Sequence, residues 1–156
     1  MNLKIRQADV QDAGDVYRIM LAAFEEYREK LSPPSGALRE TLEEVIAAIE
    51  SGGAILAEID GVLVGSARYR IREKHLYAER VAVLPQHRKK GVAAAIMQAV
   101  EDVARQLGIL EVQVGVRAAL PANLRFYEKL GYRALTSLPY STGNDFGITL
   151  SKQIGP

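Results

Sequence analysis

The sequence has no cysteine, no tryptophan and only two histidines, His75 and His87. Disulfides, thiolate zinc sites and a cysteine nucleophile are therefore excluded, and a histidine-rich metal centre has too few ligands, so no metal is expected. An excess of either charge is also missing: 20 Lys plus Arg stand against 19 Asp plus Glu, a formal net charge of +1. With aromatic residues at only 6 %, that balance offers a nucleic-acid backbone or an anionic membrane little to hold, and neither is an expected partner. The longest uncharged stretches, residues 91–100 and 134–144, fall far short of the roughly 18 apolar residues that a membrane span needs. Residues 1–6 contain no apolar h-region, and a soluble cytoplasmic protein is the expectation.

What is present suits one domain. A chain of 156 residues and 17.1 kDa exposes roughly 25,000 Å² unfolded and roughly 8,000 Å² folded, enough burial for one core and too little for two. Residues 3–7 alternate as a short strand, and Asp9 caps a helix carrying Val10, Tyr17, Met20, Leu21 and Phe24 that should end near Lys30. Two prolines and a glycine make residues 31–37 a loop. Thr41 and Glu44 form a capping box for a second helix, stopped by Gly52 and Gly53. Strands over 54–59 and 62–72 flank Asp60-Gly61, a type I′ hairpin signal, and residues 76–84 form a further strand ending at Pro85. From about Lys90, Val92, Ile96, Val100, Val103 and Leu107 fall on one helical face until Gly108. A strand over 109–116, a helix from Pro121 to Gly131 and strands over 132–138 and 146–151 complete a single-domain α/β mixed sheet of about seven strands flanked by about four helices.

The most informative segment is 81–94, VAVLPQHRKKGVAA, where a strand passes through a proline turn into a helix. A helix start offers unpaired N–H groups and a partial positive charge, Gly91 and Ala93 keep it narrow, and Arg88, Lys89 and Lys90 add charge; such a turn suits a pyrophosphate. It is neither a P-loop nor a three-glycine dinucleotide turn. Three basic residues by themselves read as a solvated helix start.

A strand ending Val-x-Val-x-Pro, followed by Arg-x-x-Gly-x-Ala at a helix start, resembles the acyl-coenzyme A signature of the GNAT superfamily of N-acetyltransferases, with Arg88, Gly91 and Ala93 at its defining positions. Residues 124–132, LRFYEKLGY, resemble the same family's second motif, in the same order along the chain. The resemblance implies that acetyl-CoA is the co-substrate. It also implies that Val81, Ala82 and Val83 pair with the pantetheine arm, and that the N–H groups of Lys89, Lys90, Gly91, Val92, Ala93 and Ala94 hold the pyrophosphate. Many members carry Asn where this chain has Leu120. Asn123, four residues before Tyr127 on the same helical face, is the candidate to replace it.

Acetyl transfer from a thioester to an amine needs a neutral amine, a stabilised oxyanion and a proton for the thiolate. The resemblance implies Tyr127 as general acid; packing beside Phe126 is the plain alternative. Strand alternation predicts that Tyr77, Glu79, Val81 and Val83 share a face, on which Glu79 is the one carboxylate; the resemblance implies it as the base, usually through water, and a surface pair with a neighbouring basic residue is the plain alternative. Tyr140 and Asp145 are lesser candidates for the far end of the acceptor, the region of Tyr27 and residues 31–37 for its choice, and His75 and His87 read as surface residues. The expected activity is direct transfer to a primary amine of a small molecule, peptide or protein in a ternary complex. A non-catalytic acyl-CoA-binding module is the alternative, and edge strands near the C-terminus leave room for a homodimer.

Overall fold

The computed structural model describes residues 1–155. Seven strands form one sheet: β1 (Leu3–Ala8), β2 (Gly53–Ile59), β3 (Val62–Arg72), β4 (His75–Val83), β5 (Glu111–Arg117), β6 (Arg133–Pro139) and β7 (Phe146–Gln153), in spatial order β1-β2-β3-β4-β5-β7-β6. Only β4 and β5 run parallel, joined through helix α3 (Val92–Gln106) as in a βαβ unit. Helices α1 (Ala13–Phe24), α2 (Leu42–Ser51) and α4 (Pro121–Lys129) complete the layers. Among the described residues, no helix is long and apolar enough to cross a membrane.

The central strands are buried on both faces. On β2, Ile55, Ala57 and Ile59 enter a core with Val92, Ile96, Met97 and Val100 of α3, while Ala54 and Leu56 enter a second core with Val16, Ile19 and Met20 of α1 and Val45 and Ile49 of α2. Period-two alternation thus serves two helical layers at once. Gly65 permits the close approach of α3, because a Cβ there would lie 3.0 Å from both Ile96 Cδ1 and Val92 Cγ1. Fully burying a side chain such as Ile96 contributes about 1.5–3 kcal/mol.

Local signals account for most element ends. Asp60 and Gly61 both have positive φ, 50° and 85°, as a type I′ turn requires, and Thr41 and Glu44 exchange both capping-box hydrogen bonds. Three expectations are corrected. Helix α1 ends at Phe24 rather than near Lys30, giving way to a 3-10 turn over Glu25–Tyr27. The Ala23 carbonyl, the acceptor that a continuing helix would offer residue 27, takes Arg88 Nη2 at 3.2 Å, and Glu26 pairs with the same guanidinium. His75 is buried, not a surface residue.

The third correction concerns β4. Its pairing with β3 runs Ser66↔Ala82 and then Arg68↔Glu79, so β4 carries one extra residue, and Arg80 adopts φ +52°. This bulge reverses the alternation. Leu76 and Ala78 before it and Val81 and Val83 after it all join the α3 core, while Ala82 and Leu84 join the α1–α2 core. Tyr77 and Glu79 therefore do not share a face with Val81 and Val83; they point to the opposite side of the sheet.

Candidate active site

The strand pairing opens where the bulge begins. β4 and β5 are hydrogen-bonded only from Leu76↔Val112 to Ala78↔Val114, after which they part, while β5 continues along β7 to Arg117. The edge of β4 from Glu79 onward thus faces a gap instead of a neighbouring strand. A splayed pair exposes backbone N–H and C=O groups that an extended, amide-bearing ligand can satisfy.

At the end of β4 the chain makes a 3-10 turn over Pro85–His87 and then enters α3 through two left-handed residues, Lys89 (φ 62°) and Gly91 (φ 79°). Gly91 is the N-cap and carries no side chain to bond the helix start; Ala95 N–H, at 3.1 Å from the Gly91 carbonyl, is the first to bond back. The N–H groups of Val92, Ala93 and Ala94 therefore lack helical acceptors. A Cβ on Gly91 would have no protein atom within 4 Å, so the space above the turn is open to an anion.

Arg88 has a different part from its basic neighbours. Its guanidinium donates to the Val83 carbonyl at 3.1 Å, to the Ala23 carbonyl at 3.2 Å and to both Glu26 oxygens at 2.7 and 2.8 Å. Burial pushes the Glu26 carboxyl up, but the hydrogen bonds from Arg88 and Tyr27 and the nearby charges of Arg88 and Lys30 together outweigh it, holding the group below its ordinary value. The side chain is a strut tying the turn to β4 and to the end of α1, with its charge already matched. Lys89 and Lys90 stay exposed.

Two cavities meet in the gap. The first, about 400 Å³, runs from the α3 turn along Val81, Ala82 and Val83 to Phe126 and Tyr127. The second, about 620 Å³, lies beyond it between the loop after α1, the bulged part of β4, and β5 and β7. Phe24, Tyr27, Val81, Asn123 and Tyr127 line both. Tyr127 is buried, packed edge-on against Phe126 and Tyr132 at centroid distances of 4.9 and 5.8 Å. Burial, with smaller contributions from Tyr77 and Tyr27, pushes its phenol far above the ordinary value of 10, so it stays protonated at neutral pH.

Most of the sequence-derived candidates gather here. Val81, Ala82, Val83, Arg88, Lys89, Gly91, Val92, Ala93, Ala94, Asn123 and Tyr127 line the first cavity; Lys90 stands beside it. Asn123 lies in hydrogen-bonding reach of Tyr27, and Leu120 borders the second cavity. Glu79 lines the second cavity, its carboxylate 3.5 Å from Arg70. His87 borders the first.

Asp145 departs from its expected place at the acceptor. It is 6 % exposed and accepts from Arg117 Nε at 2.8 Å, Ala119 N–H at 3.0 Å and Phe146 N–H at 2.7 Å, a brace for the loop rather than a free carboxylate. Sequence reasoning missed Tyr77, Arg39, Arg80 and Arg117, all on the second cavity. Tyr77 had one indirect signal, Gly115, where a Cβ would lie 2.5 Å from its hydroxyl. The arginines had none, because only tertiary pairing brings them together.

Comparison with known proteins agrees with this geometry. The model of the Acetyltransferase (GNAT) family matches residues 15–132. Among curated proteins, the chain is 36 % identical over 99 residues to an uncharacterized N-acetyltransferase, YjcF, of Bacillus subtilis (strain 168). That match covers 60 % of this chain and 66 % of the relative, just under two thirds of its length. Among solved structures, the PaiA N-acetyltransferase from Thermoplasma acidophilum, in complex with coenzyme A, is similar at a TM-score of 0.80 and 17 % identity, over 98 % of this chain and 99 % of that one. YncA from Salmonella typhimurium, with its cofactor acetyl-CoA, is similar at a TM-score of 0.77 and 18 % identity, over 98 % and 94 %. At such identities the likeness is one of fold.

Proposed function

The chain belongs to the GNAT acetyltransferase family, and from that premise we propose that residues 1–156 act as one N-acetyltransferase domain, moving an acetyl group from acetyl-CoA to a primary amine of a small molecule or peptide by direct transfer. The observation that carries this reading is the shared wall of the two cavities, where a protonated Tyr127 stands between a phosphate-suited groove and a second, separately lined space. The coenzyme A complex of PaiA and the acetyl-CoA complex of YncA support the choice of donor.

In this reading the pyrophosphate rests on the N–H groups of Lys89, Lys90, Gly91, Val92, Ala93 and Ala94, where the helix dipole adds to the donors. The pantetheine arm lies along Val81, Ala82 and Val83 as an added strand in the gap. Arg88 holds the turn in register, and Asn123 borders the arm opposite the strand. The thioester then reaches Tyr127.

The amine nitrogen attacks the thioester carbon and the C–S bond breaks. The amine proton leaves through water to Glu79, and the thiolate takes a proton from Tyr127, which solvent restores. The burial that raises the Tyr127 phenol also raises the proton affinity of a thiolate leaving beside it, so the two stay matched enough for transfer. Holding both substrates across one wall supplies the proximity term.

The test is a panel of primary amines with acetyl-CoA, read by release of free thiol and by mass of the N-acetyl product. Thiol and product rising together support the enzyme. Tight acetyl-CoA binding with no thiol release would instead favour a non-catalytic acyl-CoA-binding module.

A further inference from the structure

Resting on the acetyltransferase reading, we infer from the charge pattern of the second cavity that the acceptor is a small amino acid, a primary amine that carries its own carboxylate. The charged side chains lining that cavity are Arg39, Arg80, Arg117 and Glu79, three cations to one anion. Two of them are neutralised: Glu79 lies 3.5 Å from Arg70, and Arg117 is 2.8 Å from Asp145. Arg80 shares a single carboxylate, Glu40, with the buried Arg68, whose Nε has no partner. Two guanidinium groups on one carboxylate leave that wall one negative charge short. Arg39, at the end of the 3-10 turn Gly36–Arg39, is exposed and takes part in no ion pair among the described residues.

The aromatic rings argue against a purely cationic acceptor. Tyr77 and Tyr140 could cradle an ammonium on their faces, but guanidinium groups already stand there: Arg72 at 4.6 Å and Arg70 at 5.4 Å from the Tyr77 centroid, and Arg117 at 4.5 Å from Tyr140. A polyamine would enter a space with an excess of positive charge and its ring faces taken. A carboxylate would meet Arg39 as a planar, two-donor partner and offset the deficit around Arg80. The same positive surroundings disfavour the protonated amine, so the nucleophile arrives in the form that reacts.

The test uses the full chain with acetyl-CoA and the common amino acids, each reactive one compared with its carboxamide and its decarboxylated amine, with kcat/KM corrected for the fraction of neutral amine. The expected result is a preference for the acid of at least about tenfold, the scale of one charge-assisted hydrogen-bonded pair. Arg39→Gln should remove most of that ratio, and Arg39→Glu should invert it; Arg39 is exposed, and an unchanged circular dichroism spectrum and acetyl-CoA affinity would show that both variants fold. Equal rates for acid, amide and amine, or acetylation of other amines and of no amino acid, would overturn the proposal and leave the acetyltransferase reading standing. Failure of the wild-type chain to bind acetyl-CoA would overturn both.

Discussion

At the scale of single residues, chemistry is divided by burial and by which face of the sheet a side chain meets. Glu79 is on the side of the second cavity because Leu76 and Ala78 take the α3 core; the bulge that follows at Arg80 turns Val81 to that core, where unbroken alternation would have left it beside Glu79. Glu79→Gln should therefore slow the chemical step by about 10²-fold with acetyl-CoA affinity unchanged, measured by single-turnover product formation and calorimetry. The phenol of Tyr127 is raised by burial, so its protonated form persists past the amine's own titration. The single-turnover rate should rise with pH as the acceptor loses its proton and show no fall up to about pH 10, the ordinary tyrosine value. A fall near pH 8 would point to a different acid. The place of Tyr127 on the cavity wall was legible because it sits in a contiguous motif. The strut role of Arg88 was not, since its partners Glu26 and Ala23 lie more than sixty positions away.

At the scale of elements, what could be read was whatever is written locally: the capping box at Thr41 and Glu44, the turn at Asp60 and Gly61, and the strand–turn–helix from Val81 to Ala94. The bulge could not be read, because it exists only as a mismatch between β4 and its partner, and neither could the early end of α1. The turn itself is open to a direct trial. Gly91→Glu adds bulk and negative charge at an N-cap with φ 79°, and acetyl-CoA affinity should fall at least tenfold, about 1.4 kcal/mol, by calorimetry. The loop bordering the second cavity is clamped by another glycine. A Cβ on Gly143 would overlap the backbone of Ser32 and Pro33, where Asn144 N–H bonds the Ser32 carbonyl at 3.0 Å. Gly143→Ala, also penalised by φ 76°, should lower stability by about 1–3 kcal/mol and raise the acceptor KM, with urea unfolding and steady-state kinetics as the readouts.

At the scale of the whole molecule, the fold exposes 8511 Å², close to the roughly 8,000 Å² that its mass implies for one compact domain. Part of its stability toward acid resides where distant segments are pinned. Burial raises the Asp145 carboxyl, but hydrogen bonds from Phe146, Arg117 and Ala119 hold it below its ordinary value of 3.8. A depressed folded-state value means that this contribution is present above about pH 4 and is lost as pH falls further. Asp145→Ala should cost about 3 kcal/mol at neutral pH, leaving Arg117 without its partner, and should flatten the loss of stability below pH 4, as followed by urea midpoints.

The central claim is that acetyl transfer takes place at the wall where two cavities meet, with Tyr127 supplying the proton. Its most direct measurement is the single-turnover rate of N-acetyl product formation in Tyr127→Phe, at saturating acetyl-CoA and acceptor. Phe keeps the ring packing against Phe126 and Tyr132 and removes only the hydroxyl, so acetyl-CoA affinity and fold should persist. The rate should fall by roughly 10²-fold or more. A rate equal to that of the wild-type chain would contradict the account, returning Tyr127 to a packing role and moving the proton path elsewhere.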